Sequence, residues 1–165
     1  MKPIILIPTY NERESITPLL NSLAQERQTY DFSVLIIDDG SPDGTVEAIR
    51  SLHFPWVDIL QRTSKDGLGP AYRAGFAHVL AERPEITHIV TMDADGSHRV
   101  ADLKAMLAAV VPGRCIVLGT RWMPGGSVVN WPLQRQLLSR AGTTYARIAL
   151  RLSLRDLTGG FRIYS

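Results

Sequence analysis

The chain has 165 residues, 45% apolar and 21% charged, with a formal net charge of +2. That length suits one domain with a sizeable core, and the composition excludes wholesale disorder. No apolar run reaches the roughly 18–20 residues that span a bilayer, and the run before Pro8 is too short for a secretory signal. The single cysteine, Cys115, excludes an internal disulfide framework and a multi-cysteine metal site, and fits a reducing compartment.

Strand-like and helical patterns alternate along the chain. Residues 4–7 are an unbroken apolar run, followed by Ile16, Leu19, Leu20, Leu23 and Ala24 at helical spacing. Residues 34–37 form a second run, and Asp43 is placed to cap a short helix ending near Leu52. Residues 57–60 are a third, followed by the helical stripe Tyr72, Gly75, Phe76, Val79 and Leu80. Residues 89–92 precede the stripe Leu103, Met106, Leu107, Val110 and Val111, and residues 116–118 form the fifth run. Mostly unbroken runs separated by helices predict a mainly parallel α/β sheet covered on both faces. From Pro132 an amphipathic helix is expected through Leu152, with Arg135, Arg140, Arg147 and Arg151 interleaved. Residues 161–164 begin a strand with nothing after it, so the domain reads as truncated at its C-terminus.

Charge is unevenly spread. Residues 1–113 hold 10 Lys+Arg against 15 Asp+Glu, whereas residues 114–165 hold 8 arginines and one acid, Asp156. Such a basic half suits an anionic partner (phosphate, nucleic acid or an anionic membrane) or else is a solvated basic face.

Ligands of open parallel sheets bind at the carboxyl ends of the strands. Four polar, glycine-rich motifs fall there: PTYNE (8–12), DDGSPDGT (38–45), DADGSH (93–98) and GTRW (119–122). Asp93 and Asp95 are spaced to share a hard divalent cation whose remaining ligands are phosphate or water; the alternative is a plain turn at Asp95-Gly96. Asp38 and Asp39 end the second strand, where an acid accepts hydrogen bonds from a ribose or base. A calcium loop starting at Asp39 fails, because its twelfth position is Arg50. Dinucleotide and Walker A glycine patterns are absent, which leaves a metal and arginines to hold phosphates. Of the four histidines only His98 lies beside the acids. Cys115 reads as packing, and no serine sits in a G-x-S-x-G elbow.

In order, the chain carries PTYNE, VLIIDDGSPDGT, KDGLGPAYRAG, MDADGSH, GTRW, NWPLQRQLLSR and DLTGGFR. Together these resemble the family 2 glycosyltransferases of GT-A fold, and within them the dolichol-phosphate mannose synthases and bacterial polyprenol monophosphomannose synthases. The resemblance covers nearly the whole chain. It implies one catalytic domain, with residues 1–120 binding the nucleotide sugar and 121–165 binding the acceptor. It implies mannose transfer from GDP-mannose to a polyprenyl phosphate, with inversion and with Mg²⁺ or Mn²⁺. Pro8, Tyr10, Glu12 and Asp39 would contact the guanosine. Asp93, Ala94 and Asp95 would bind the diphosphate–sugar, with Asp93, Asp95 and Ser97 at the metal. Arg121, Arg135 and Ser139 would grip the acceptor phosphate, Arg121 also reaching the donor; Asp95, Arg121 and Arg135 would be catalytic.

Members often carry a glutamine where this chain has Ser97, which bears on metal choice. They also continue beyond the GFR segment into further core and amphipathic or membrane-spanning helices. The expected location is the cytoplasmic face of a membrane, with an anchoring domain or subunit as a further partner. Residues 133–152 read as an interfacial helix, as a core helix with snorkelling arginines, or as a mixture with Arg135 in the site and Arg147 and Arg151 facing lipid or solvent, the mixture being favoured. The rivals are the same fold with UDP-glucose, and a silent sugar-nucleotide-binding module. No nucleic-acid partner is expected, for lack of a base-stacking motif.

Overall fold

The computed structural model describes residues 1–121, 132–151, 153–154 and 156–165, and of Arg135 the backbone only. Trp122, Asn130, Trp131 and Leu152 of the sequence motifs lie outside the described residues. The elements are β1 (Pro3–Thr9), α1 (Arg13–Glu26), β2 (Ser33–Asp38), α2 (Thr45–Ser51), β3 (Val57–Gln61) and α3 (Leu68–Glu82). They continue as β4 (His88–Thr91), α4 (Val100–Ala108), β5 (Ile116–Leu118), α5 (Leu133–Leu150) and β6 (Arg162–Tyr164).

The described strands form one sheet in the order β3-β2-β1-β4-β6-β5. β3, β2, β1 and β4 are parallel, whereas β6 is antiparallel to both β4 and β5. The expected parallel α/β sheet is therefore present, with one reversed strand between two parallel ones. Side chains of successive strand residues point to opposite faces, and β1 divides its apolar residues accordingly. Ile5 and Ile7 join Ile16, Leu20 and Leu23 of α1, Ile49 of α2 and Leu103 of α4. Ile4 and Leu6 join Ala71 and Val79 of α3 on the other face. Helices thus cover both faces, which is why the central strands are unbroken apolar runs.

Two stripe residues and one cap depart from expectation. Leu80 is 76% exposed and Val111 is 58% exposed, because α3 presents its Ala71–Gly75–Val79 row inward and α4 stops at Ala108. Asp43 acts one residue early: Gly44, in the left-handed region, is the α2 cap position, and the Asp43 carboxylate accepts from Thr45 N–H.

Gly75 lets α3 lie close on the sheet. A Cβ there would sit 2.5 Å from Ile37 Cδ1 and 3.2 Å from Leu6 Cδ1. Gly69, in the first turn of the same helix, has nothing within 4 Å of that position. Gly75→Val should therefore destabilise by about 1–3 kcal/mol through overpacking. Gly69→Ala should be neutral or stabilise by up to about 1 kcal/mol through helix propensity. Urea unfolding of both variants checks this; equal effects would remove the close-approach explanation.

Candidate active site

β1 has β2 on one side and β4 on the other, so the chain's crossovers diverge there and leave a crevice at the carboxyl ends. The loops after β1, β2 and β4 open onto that crevice. Because β6 runs backwards, its N-terminal approach, residues 156–161, reaches the same rim.

The first two loops are tied to each other by a ladder of hydrogen bonds. Thr9 Oγ1 donates to Asp38 Oδ2 at 3.0 Å, Asn11 N–H to Ser41 Oγ at 3.0 Å, Glu12 N–H to Thr45 Oγ1 at 3.0 Å, and Arg13 N–H to Asp43 Oδ2 at 3.1 Å. Asp38 is fully buried, and its Oδ1 accepts from Gly40 and Ser41 N–H. It organises the loop, whereas Asp39 is held by Arg62 Nη1 at 2.7 Å. Burial raises the Asp39 carboxyl above its ordinary value, with Arg62 opposing. Pro8 and Glu12 are half-buried, and the Glu12 carboxylate accepts from Ser15 Oγ. The half-buried Tyr10 ring carries Lys65 Nζ 3.8 Å above its centroid, a cation–π contact.

The acidic pair follows β4. Ala94 turns its methyl into the core, so only its backbone is available at the rim, while Asp95 is exposed. Asp95 Oδ1 accepts from Ser97 N–H at 2.9 Å. Asp93 Oδ1 accepts from Tyr72 OH at 3.3 Å, and burial, with Asp93 adding, pushes the Tyr72 phenol far up, so it remains a donor. Asp93 N–H donates to His98 Nδ1 at 3.0 Å, which places the neutral imidazole's proton on Nε2, 3.7 Å from Asp93 Oδ2. Burial lowers the His98 pKa against the pull of Asp93 and Asp95. Its ring stacks on Phe161 with centroids 5.0 Å apart. Gly160 completes the enclosure: a Cβ there would lie 3.2 Å from Asp93 Oδ2.

Two carboxylates of hard oxygen donors, one exposed, with Ser97 two residues on, fit a divalent cation. Among the described residues no three His, Cys, Asp or Glu side chains form a metal cage. A cation here needs further oxygens from a phosphate or water.

A second cluster centres on Asp156, whose side chain is fully buried. Arg121 Nε donates to Asp156 Oδ2 and Arg121 Nη2 to Oδ1, each at 2.8 Å. Arg121 Nη2 also lies 2.6 Å from Thr158 Oγ1 and 3.4 Å from Ser139 Oγ on α5, and the two hydroxyls are 2.8 Å apart. Arg121 and Ser139 are therefore brought together as expected. Arg135 lies one turn before Ser139 on α5, and its side chain is outside the described residues.

The sequence motifs alone assign no site role to Asp156, Thr158, Arg62 or Lys65, and place Tyr72 only in the apolar stripe of α3. Asp156 carried a signal, as the one acid among eight arginines. Lys65 and Tyr72 lie in KDGLGPAYRAG, but nothing local says that they meet Tyr10 and Asp93.

Burial alone would raise the Asp156 carboxyl; the Arg121 hydrogen bonds outweigh it and lower the pKa from 3.8 to about 2. A depressed folded-state pKa gives stability that is present above the unfolded value and lost as pH falls through the folded one. Relative to Asp156→Asn, the wild-type advantage in urea unfolding should shrink by about 2 kcal/mol between about pH 5 and pH 2. A constant gap across that range would remove the Asp156 charge from the account.

The glycosyl transferase family 2 model matches residues 4–165. An undecaprenyl-phosphate mannosyltransferase of Micrococcus luteus is 45% identical over 166 residues, covering 99% of this chain and 66% of that protein. A polyprenol monophosphomannose synthase of Mycolicibacterium smegmatis is 40% identical, covering 99% of this chain and 61% of that protein. The chain thus spans just under two thirds of the length of these relatives. A glucosyl-3-phosphoglycerate synthase of Mycobacterium tuberculosis, solved with Mn²⁺, UDP and its product, superposes with a TM-score of 0.71 at 16% identity, over 99% of this chain and 56% of that one. That likeness is one of fold. With the motifs in order and the model matched almost end to end, this chain belongs to glycosyl transferase family 2.

Proposed function

We propose that this chain is the catalytic core of an inverting transferase that moves mannose from GDP-mannose to a polyprenyl phosphate. The observation that carries the reading is the convergence on one rim of the Asp93/Asp95 pair and the Arg121–Ser139–Thr158 cluster. The names of the 45% and 40% identical relatives support mannose as the sugar and a polyprenyl phosphate as the acceptor. The guanosine carrier rests on the family resemblance, with Pro8, Tyr10, Glu12 and Asp39 as its contacts. In this reading residues 1–120 serve the donor and 121–165 the acceptor.

The acceptor phosphate is anionic at neutral pH, so it attacks without a strong base. One of its oxygens bonds to the anomeric carbon while the bond from that carbon to the diphosphate breaks, and GDP leaves with the electron pair. Attack from the opposite face inverts the configuration. The task for the protein is to bring two anions together and stabilise the departing charge, by positioning and fixed cations. Arg121, Arg135 and Ser139 hold the acceptor phosphate. Asp93, Asp95 and Ser97 would hold a divalent cation, which when bound supplies positive charge to the leaving diphosphate.

The α5 helix supports a membrane-surface location. Leu133, Leu137, Leu138, Tyr145, Ile148 and Leu150 are 63–76% exposed, and Arg140, Arg147 and Arg151 are exposed among them. Its inward row is small and polar, with Thr143 buried and its hydroxyl accepting from Leu157 N–H. An apolar face flanked by arginines suits the boundary of an anionic bilayer. Among the described residues no helix is long and apolar enough to cross one.

Titration calorimetry with GDP-mannose, with and without Mg²⁺ or Mn²⁺, tests the donor. Cation-dependent binding at least about tenfold tighter than UDP-glucose is expected, and Asp95→Ala should remove the cation dependence. A UDP-glucose preference would move the function to a sister activity, and binding of neither would sink the donor assignment. Flotation with anionic vesicles tests the helix: Leu138→Glu with Ile148→Glu should weaken binding by about tenfold or more. Unchanged flotation would free α5 for another partner.

A further inference from the structure

We propose that Asp156 is a positioning residue, aiming Arg121 and Thr158 as one preformed oxyanion-binding pair at the acceptor phosphate. This rests on the acceptor reading above and adds to it a residue that makes no contact with the substrate.

The geometry is specific. Asp156 accepts six hydrogen bonds: from Arg121 N–H, Nε and Nη2, from Thr158 N–H and Oγ1, and from Gly159 N–H. Both carboxylate oxygens are used, and the side chain is fully buried. Parallel contacts from Nε and Nη2 fix the plane of the guanidinium, which a single contact would leave free to rotate. The same carboxylate closes the turn that presents Thr158. Arg121 Nη2, Thr158 Oγ1 and Ser139 Oγ then lie within 2.6–3.4 Å of one another. Polar groups from the end of β5, from α5 and from the β6 approach are thereby gathered within hydrogen-bond reach of one another.

The turn is itself braced from behind. Arg162 Nε donates to Gly159 O and Nη2 to Leu157 O, each at 2.8 Å. A cation spent on backbone carbonyls holds the loop, leaving Arg121 to Asp156. A flexible arginine would have to be ordered as the acceptor arrives, so prior ordering raises affinity without new contacts. Asp156 also carries a cost: its negative charge partly offsets Arg121. It is set on the Nε–Nη2 edge, with the hydroxyls of Thr158 and Ser139 beside Nη2.

The test combines Asp156→Asn and Asp156→Glu with two readouts on the whole protein. Arg121 Nε–H exchange is followed by nitrogen-15 NMR, and binding of a short-chain isoprenyl phosphate and of GDP-mannose is measured by calorimetry. In wild type the Arg121 Nε–H should be protected from exchange, and in Asp156→Asn that protection should be lost. Isoprenyl phosphate affinity should fall by about tenfold or more, as for a lost hydrogen-bonded charge partner. Donor affinity should stay within about twofold, and Asp156→Glu should recover part of the loss. Isoprenyl phosphate binding unchanged in Asp156→Asn would overturn the proposal, as would an equal loss of donor binding, which marks a residue that merely supports the fold. If wild type binds GDP-mannose but no isoprenyl phosphate, the acceptor reading falls and takes this proposal with it. Those results are distinguishable, because only in the last does the unmutated protein itself fail to bind the acceptor.

Discussion

A carboxylate taken fully out of water must be matched by donors, and Asp156 meets that constraint with one arginine and a tight turn. Much of the arrangement around Arg121 follows from it. The turn must sit beside the end of β5, where Arg121 is. That requires residues 156–160 to arrive at the carboxyl rim, and they do so because β6 runs antiparallel between β4 and β5. The two glycines of the turn make the approach possible. A side chain at Gly159 would meet Gly119 O at 3.2 Å, and one at Gly160 would meet Asp93. The reversed strand, the glycine pair and the ion pair are thus one solution to one burial problem.

The same strand joins the two halves of the site. Thr91 Oγ1 of β4 donates to Gly160 O at 2.6 Å, and Phe161 stacks on the His98 ring that flanks Asp93. The acidic pair and the arginine cluster are therefore spaced by sheet geometry, not by flexible loops. In the proposed reaction between two anions this matters, because holding the reacting groups in place supplies a large part of the rate. The loops after β1 and β2 are tied in a similar way: Asn11, Glu12 and Arg13 each donate an N–H to the 41–45 segment, at Ser41, Thr45 and Asp43.

The unbroken runs of β1, β2 and β4 were legible in the sequence because those strands are covered on both faces. So was the rim, since strand ends mark it by polarity. Leu80 and Val111 were misread because periodicity gives a stripe's spacing and not its limits; which turn meets the sheet depends on Gly75 and on where α4 stops. In α5 the same spacing leaves two readings open, interfacial or core, and the side facing the described residues is the small polar row around Thr143. An amphipathic pattern says that one face leaves water, and it does not say what covers it. Asp156 was visible as a lone acid, but its meaning depended on a contact 35 residues away with Arg121.

The charge asymmetry resolves into roles once the contacts are known. Arginines of the basic half divide by what faces them. Arg121 is turned inward onto a carboxylate and Arg162 onto carbonyls, whereas Arg140, Arg147 and Arg151 are exposed along α5. A net charge count treats all of these alike, but an arginine paired with a buried acid contributes geometry, and an exposed one contributes long-range field. The acidic half has the complementary division: Asp38 and Asp43 are consumed in loop architecture, while Asp95 stays exposed. For a donor and an acceptor that both carry phosphate, this arrangement keeps the two recognition tasks chemically distinct. Acidic side chains can take a phosphate only through a cation, and arginines with hydroxyls can take one directly. In the proposed reaction two anions would then occupy neighbouring subsites that share only Arg121, and a direct attack of one on the other requires such neighbouring subsites.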